Sequence, residues 1–176
     1  MAELMDYLHA NLELKTYPMA DGFPRGLELH GCYTREEVFA LYGRQTADKK
    51  MQGVASGAFS INECNTELLF VTLNKSEKDF SPSTQYDDYF ISQWRFHWQS
   101  QNCMSHSNAG ERYVNQRTNG RRFLLFVRED KRDGFGNTSP YYCMGLVDYV
   151  SSHGNFPMNI EWRLERPAMA KFIKAV

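Results

Sequence analysis

The apolar residues of this chain follow two rhythms, one helical and one alternating. Met1, Leu4, Met5, Leu8 and Leu12 recur at helical spacing and predict an amphipathic helix with one apolar stripe over residues 1–15. Pro18, Gly22, Pro24 and Gly26 break that period and read as a connector, with a short strand expected over 27–30. Thr34, Arg35, Glu36 and Glu37 have the spacing of a capping box, in which the Thr34 hydroxyl and the Glu37 carboxylate each bond the other residue's amide. Val38, Phe39 and Leu41 follow and Gly43 suits a left-handed stop, so a helix is predicted over 35–42.

Beyond that point strands dominate. Residues 52–60 read as strand or loop. The run Leu68, Leu69, Phe70, Val71, Thr72 and Leu73 is apolar at both parities, as expected of a central strand covered on both sides. Residues 91–101 place Trp94, Phe96 and Trp98 at one parity, with Arg95, His97, Gln99 and Gln101 at the other, and predict one strand with its rings on one face. A short helix over 110–116, a turn at Asn119 and Gly120, and an apolar strand over 123–127 follow. Residues 132–140, with Gly134, Gly136 and Pro140, read as a flexible loop leading to a hairpin partner over 141–150. Met158, Ile160, Trp162 and Leu164 alternate with Asn159, Glu161, Arg163 and Glu165, the pattern of a half-buried strand. A helical turn is expected in 168–176.

Several strands and only two or three helices predict an α+β fold, mainly β, on a curved mixed sheet with a few short helices and the N-terminal amphipathic helix. The expected organisation is a helix and connector over 1–25 and a single binding domain over 26–176. At 176 residues the chain can bury a core without a disulfide scaffold.

Composition narrows the function classes. Net charge is −1, which predicts no general affinity for nucleic acid. One stretch departs from this balance: Arg112, Arg117, Arg121, Arg122, Arg128, Lys131 and Arg132 stand against only Glu111, Glu129 and Asp130. Such a run is a solvated face or a phosphate-binding one. Cys32, Cys64, Cys103 and Cys143 are scattered, so neither a zinc site nor a disulfide set is expected, and a reduced cytoplasmic setting follows. Residues 1–15 lack a secretory pattern, and no run of about 18 apolar residues predicts a membrane span.

Catalytic signatures are sparse. The sequence holds no GxxxxGK[ST], GxGxxG, HExxH or GxSxG motif, so no catalytic residue, metal or cofactor is assigned, and the chain is expected to bind its target without converting it. The densest polar and aromatic segment is Phe96, His97, Trp98, Gln99, Ser100, Gln101 and Asn102. Its rings are either core or stacking faces, and its amides and hydroxyl offer donors and acceptors for a base edge.

Leu68 with Phe70 to Lys75, then Tyr86, Asp87, Asp88, Tyr89 and Ile91, then Phe96 to Gln101, come in a familiar order. Gly110 and Tyr113, Phe123 to Glu129, Tyr142 and Gly145, and Pro157, Met158, Ile160 and Trp162 continue it. Over 26–167 this succession resembles the C-terminal domain of unknown function attached to DEAD/DEAH-type bacterial helicases. In that family the domain often follows a phospholipase-D-type nuclease and a helicase, as in type IV modification-dependent restriction enzymes. The resemblance implies an SRA/PUA-like fold and a reader of 5-methylcytosine or 5-hydroxymethylcytosine. It also implies DNA carrying such bases as the partner, along with the helicase and nuclease domains of a parent enzyme; that no membrane and no cofactor are expected comes from the residues themselves. Nuclease and helicase are missing from this chain, so cleavage and translocation do not carry over.

Reading a modified cytosine calls for an extruded base held by rings and polar groups. Trp98 and Tyr89 are the candidate stacking rings, with core packing as the alternative. Asn74, Gln99, Ser100 and Gln101 are candidate edge readers, or else partners of turn and strand-end backbone. Asp87 can accept from a cytosine amine or cap a turn, Tyr86 belongs to surface or pocket, and His97 is expected to be structural. Lys75, Arg112, Arg121, Arg122 and Arg128 are the candidate phosphate contacts. Two other classes stay open: a protein-interaction or regulatory domain that docks on a helicase without touching a base, and a small hydrolase or nuclease with an unrecognised site.

Overall fold

The computed structural model describes residues 17–19, 22–44, 57–75, 87–101 and 105–173. The predicted N-terminal helix, Tyr86, Asn102 and part of the 52–60 segment lie outside them. In chain order the first elements are β1 (Tyr17–Pro18), β2 (Glu28–Leu29), β3 (Cys32–Tyr33), α1 (Arg35–Leu41), β4 (Ala58–Ile61) and β5 (Thr66–Asn74). There follow β6 (Tyr89–Ser92), β7 (Arg95–Gln99), α2 (Asn108–Val114), α3 (Gln116–Asn119), β8 (Arg122–Asp130), β9 (Tyr141–His153) and β10 (Asn159–Leu164).

An 8-stranded sheet runs β4-β5-β8-β9-β10-β7-β6, with β3 also paired to β9, while β1 and β2 form a separate ribbon. The β5 and β8 strands run parallel and the remaining pairs antiparallel, so the sheet is mixed and the class is α+β, as the sequence predicts. The α1 cap forms as expected. The Thr34 hydroxyl accepts from the Glu37 N–H at 3.2 Å, and the Thr34 N–H donates to the Glu37 carboxylate at 2.7 Å.

The double-faced strand β5 explains why there are two cores. Leu69 and Val71 point to one side, joining Phe96, Trp98, Tyr113, Phe123, Met144, Ile160 and Trp162. Leu68 and Phe70 point to the other, against Val38 and Phe39 of α1 and Leu124 and Phe126 of β8. The first core draws side chains from strands as far apart as β5 and β7, so the sheet curls around it. Gly145 marks the bend in β9: its φ is +82°, the β8 register slips between Leu125 and Phe126 beside it, and an added Cβ would come within 2.9 Å of Leu29.

One local expectation needs correction. The 91–101 segment is a hairpin and not one strand, because the Ser92 hydroxyl accepts from the Trp94 N–H at 3.2 Å and turns the chain there. Trp94 is consequently exposed and does not share the face of Phe96 and Trp98. Residues 132–140 form the expected loop between β8 and β9, in which Arg132 bridges Thr138 and the Asp133 carboxylate accepts from the N–H groups of Phe135 and Asn137.

Candidate functional site

Among the described residues, the second core covers the outer side of the sheet around β4, β5, β8 and the first half of β9. Around β6, β7, β10 and the second half of β9 the outward residues are half-buried or exposed, because the alternation in β7 and β10 sends every large apolar residue inward. Register then lines up the outward residues in rows. Tyr89, His97, Glu161 and Ser151 form one row across four strands, and Gln99, Asn159 and His153 form the next.

Tyr89 is the exposed aromatic of this face, at 45%. Its ring stacks on His97 with centroids 4.7 Å apart and planes at 17°. His97 Nδ1 donates to the Asp87 carbonyl at 2.8 Å, which fixes the ring beneath Tyr89. The Asp87 N–H donates to Gln99 Oε1 at 2.6 Å, and Gln99 Nε2 donates to Asn159 Oδ1 at 3.0 Å. Beside this row Arg95 bonds Glu161 at 2.7 Å. Under it, Asp88 is buried, ion-paired with Lys75, and accepts from the Gln99 N–H at 2.8 Å. Burial pushes the Asp88 carboxyl above its ordinary range, with Lys75 and the Gln99 amide drawing it back.

The structure therefore gathers Asp87, Tyr89 and Gln99 on one face, with Lys75 anchored below. The other candidates lie elsewhere. Trp98 is only 3% exposed and packs edge-on against Tyr113 at 5.3 Å, so it is core and offers no face to a ligand. Ser100 is fully buried, its hydroxyl accepting from the Met158 N–H and donating to the Gln101 carbonyl. Gln101 is half-buried past the end of β7, and Asn74 is exposed at the end of β5 opposite Asp130.

The basic stretch does not form one surface either. Arg121 bonds the buried Glu67 at 3.0 Å and Arg112 lies 3.6 Å from the same carboxylate. Arg122 donates to the carbonyls of Gly22 and Cys64 and covers the Phe23 ring. Arg128 is buried, donates to Thr72 and Ser139, and stacks over Tyr141. Each of these cations already serves the fold.

Sequence reasoning missed Asn159, Glu161 and His153 as members of the face. The signal was available in the alternation of 158–164, which fixes Asn159 and Glu161 opposite the core. What was hidden is the pairing of β10 with β7, since no local pattern announces which strands become neighbours. Among the described residues no group of three or more His, Cys, Asp and Glu can hold a metal. Burial pushes the Cys143 thiol up to about 12, so this group is no ready nucleophile. No helix of the described residues is long and apolar enough to cross a membrane.

Among curated proteins, none matches the chain closely enough to count as a relative. The sequence pattern of one family, described as a domain of unknown function, matches residues 27–175, which takes in both cores, the curled sheet and the Tyr89 face. The chain belongs to that family, DUF3427.

Proposed function

We propose that this chain is a DNA-binding module that takes a modified cytosine, 5-methyl or 5-hydroxymethyl, onto the Tyr89 face, and so directs restriction of foreign DNA. The observation that carries the reading is the solvent-facing Tyr89–His97 stack, braced by Asp87 and set beside the Gln99–Asn159 amides. His97 covers one face of the Tyr89 ring, so its exposed area belongs to the other face and the edge. An extruded base needs a flat partner to recover the energy of unstacking, and base–aromatic stacking returns about 1–3 kcal/mol. The resemblance to helicase-linked, SRA-like readers supplies the target class. Cleavage and translocation then fall to helicase and nuclease domains of a parent enzyme, and no catalytic role is assigned here.

The test is equilibrium binding to matched duplexes that differ only in plain, 5-methyl or 5-hydroxymethyl cytosine, with wild type and Tyr89→Ala. The reading expects preference for a modified duplex and its loss in the variant. Equal affinity for all three duplexes sinks it. Incubation with DNA and magnesium, without ATP, tests the nuclease class.

A second reading has its own support. Strand β6 is a sheet edge, and Tyr89, Ile91 and the neighbouring Trp94 are 45%, 50% and 44% exposed there. A helicase domain docking on this edge would bury all three, and DNA would then bind no better than to an unrelated protein.

A further inference from the structure

Phe156 stands where the strand pattern would not put it. Carried back along β10, the alternation that buries Met158 and Ile160 gives Phe156 the same inward parity. Its ring is instead 59% exposed and belongs to neither core. Its φ is +56°, in the left-handed region, where the Cβ of a bulky residue crowds the following carbonyl. Among the described residues two other non-glycine positions share this backbone, and each gives its side chain a fold contact. Asn65 donates to the Asn119 carbonyl, and the His30 ring bonds the Pro167 carbonyl. No described ring or cation meets Phe156 in that way. The loop that carries it is nevertheless tied down. The Ser105 N–H donates to Asn155 Oδ1 at 3.0 Å, and a Cβ added to Gly154 would come within 3.2 Å of Asn159 Nδ2. Asn159 belongs to the outward Gln99, Asn159 and His153 row, so the loop sits at the end of the Tyr89 face. Strain and exposure held at one braced position, with no gain to the fold, mark a surface kept for a ligand.

We infer that Phe156 is a second stacking ring, which takes a base of the same DNA strand a few nucleotides from the modified cytosine on Tyr89. The inference rests on the reading of the Tyr89 face as a base platform and extends that platform from one base to a track. Tyr89 shares its row with Glu161 two strands away, and Phe156 precedes Glu161 by five residues. Two strand spacings alone are about 10 Å, more than the roughly 7 Å that a base sandwiched between two rings requires. The rings therefore serve separate bases. Every base has a flat π-face, so stacking on Phe156 tolerates any neighbour, and the choice of modified cytosine stays with the Tyr89 position.

The probe is a single-stranded oligonucleotide of about 12 nucleotides, within the span of such tracks, with one central 5-methylcytosine. A second version has abasic sugars at every other position, which keeps charge and length and removes the flanking bases. Wild type is expected to bind the first about tenfold more tightly, the scale of one base on one ring. Phe156→Leu keeps the apolar bulk and the strained backbone but removes the flat face, so it should bind both versions with the weaker, abasic affinity. Tyr89→Ala should weaken both and keep the ratio. Phe156→Asn places a residue more at ease with positive φ, and should lose the same tenfold while melting no lower than wild type. A Phe156→Asn variant that melts well below wild type would assign the ring to the fold and overturn the inference. Equal wild-type affinities for the two oligonucleotides, or a Phe156→Leu variant that keeps the tenfold ratio, overturn it too and leave the Tyr89 reading intact. Failure of wild type to bind either oligonucleotide overturns both.

Discussion

Lys75 and Asp88 meet as an ion pair between the end of β5 and the start of β6, strands separated by four others in the sheet order. Their side chains are 8% and 4% exposed. The pair is a clasp that holds the curl of the sheet, and through the Gln99 N–H it fixes the floor of the Tyr89 face. Lys75→Met leaves a buried carboxylate without its counter-ion and is expected to cost about 3–5 kcal/mol at neutral pH. Adding Asp88→Asn removes the charge and keeps an oxygen for the Gln99 N–H, so the double variant should recover most of the loss. Urea unfolding decides the matter, and a double variant as weak as the single one would show that packing, not charge, was lost.

The same pair predicts a pH signature. Burial holds the Asp88 carboxyl above its ordinary value of 3.8, so the folded chain keeps this proton more tightly than the unfolded chain. That contribution is fully present below the unfolded value and disappears as pH rises through the raised folded one. Without Lys75 the raised value climbs further, and the deficit of Lys75→Met should therefore shrink as the solution is acidified. Unfolding midpoints measured from neutral to mildly acidic pH check this; a deficit that grows toward acid contradicts it.

On the proposed reading, Tyr89 and Trp98 separate binding from folding. Tyr89 stands on the solvent face, so Tyr89→Ala should weaken DNA binding by about 1–3 kcal/mol and leave the melting temperature nearly unchanged. Trp98 fills the core between Tyr113 and Trp162, and Trp98→Ala should cost about 3–5 kcal/mol of stability. Calorimetric melting beside titration of labelled DNA distinguishes the two, and a large stability loss in Tyr89→Ala would remove it from the binding face.

Much of this could be read along the chain. The Thr34 capping box, the double-faced run in β5 and the alternation of β10 each reflect an interaction within a few residues, and each appears as expected. Trp98 and Tyr89 could not be told apart in the same way, because an aromatic ring on a strand is equally at home in a core or on a platform. Parity assigned Phe96 and Trp98 to one side correctly, yet which side was interior depended on β10 arriving beside β7. The roles of Arg112, Arg121 and Glu67 were hidden for the same reason. A basic stretch looks like a surface until the buried carboxylate that holds it, more than forty positions away in the sequence, is brought alongside.

Glu67 is 1% exposed, accepts from the Ser60 hydroxyl and from Arg121, and has Arg112 within 3.6 Å. Glu67→Ala should therefore leave two guanidinium groups competing for no carboxylate and cost about 2–3 kcal/mol, less than a fully buried pair because Arg112 is partly solvated. Combining it with Arg121→Met should recover part of that loss. Chemical unfolding of the single and double variants measures the coupling, and strictly additive effects would mean that Glu67 is held by β5 packing alone.

The engagement of the cations makes a prediction about salt. Lys75 holds Asp88, Arg112 and Arg121 share Glu67, Arg122 is spent on two carbonyls, and Arg128 is buried beneath Tyr141. A protein releases counter-ions from DNA only with cations that reach phosphate, and each contact contributes about −0.9 to the slope of log affinity against log salt on a duplex. With these groups committed to the fold, the slope should be shallower than about −3, and binding should depend on Tyr89 more than on ionic strength. Glu67→Gln releases Arg112 and Arg121 from their shared carboxylate, so the slope should steepen by about one to two in that variant. A steep wild-type slope that Glu67→Gln leaves unchanged would mean that the arginines exchange their internal partners for phosphate on binding, and that the basic stretch, not the Tyr89 face, supplies the affinity.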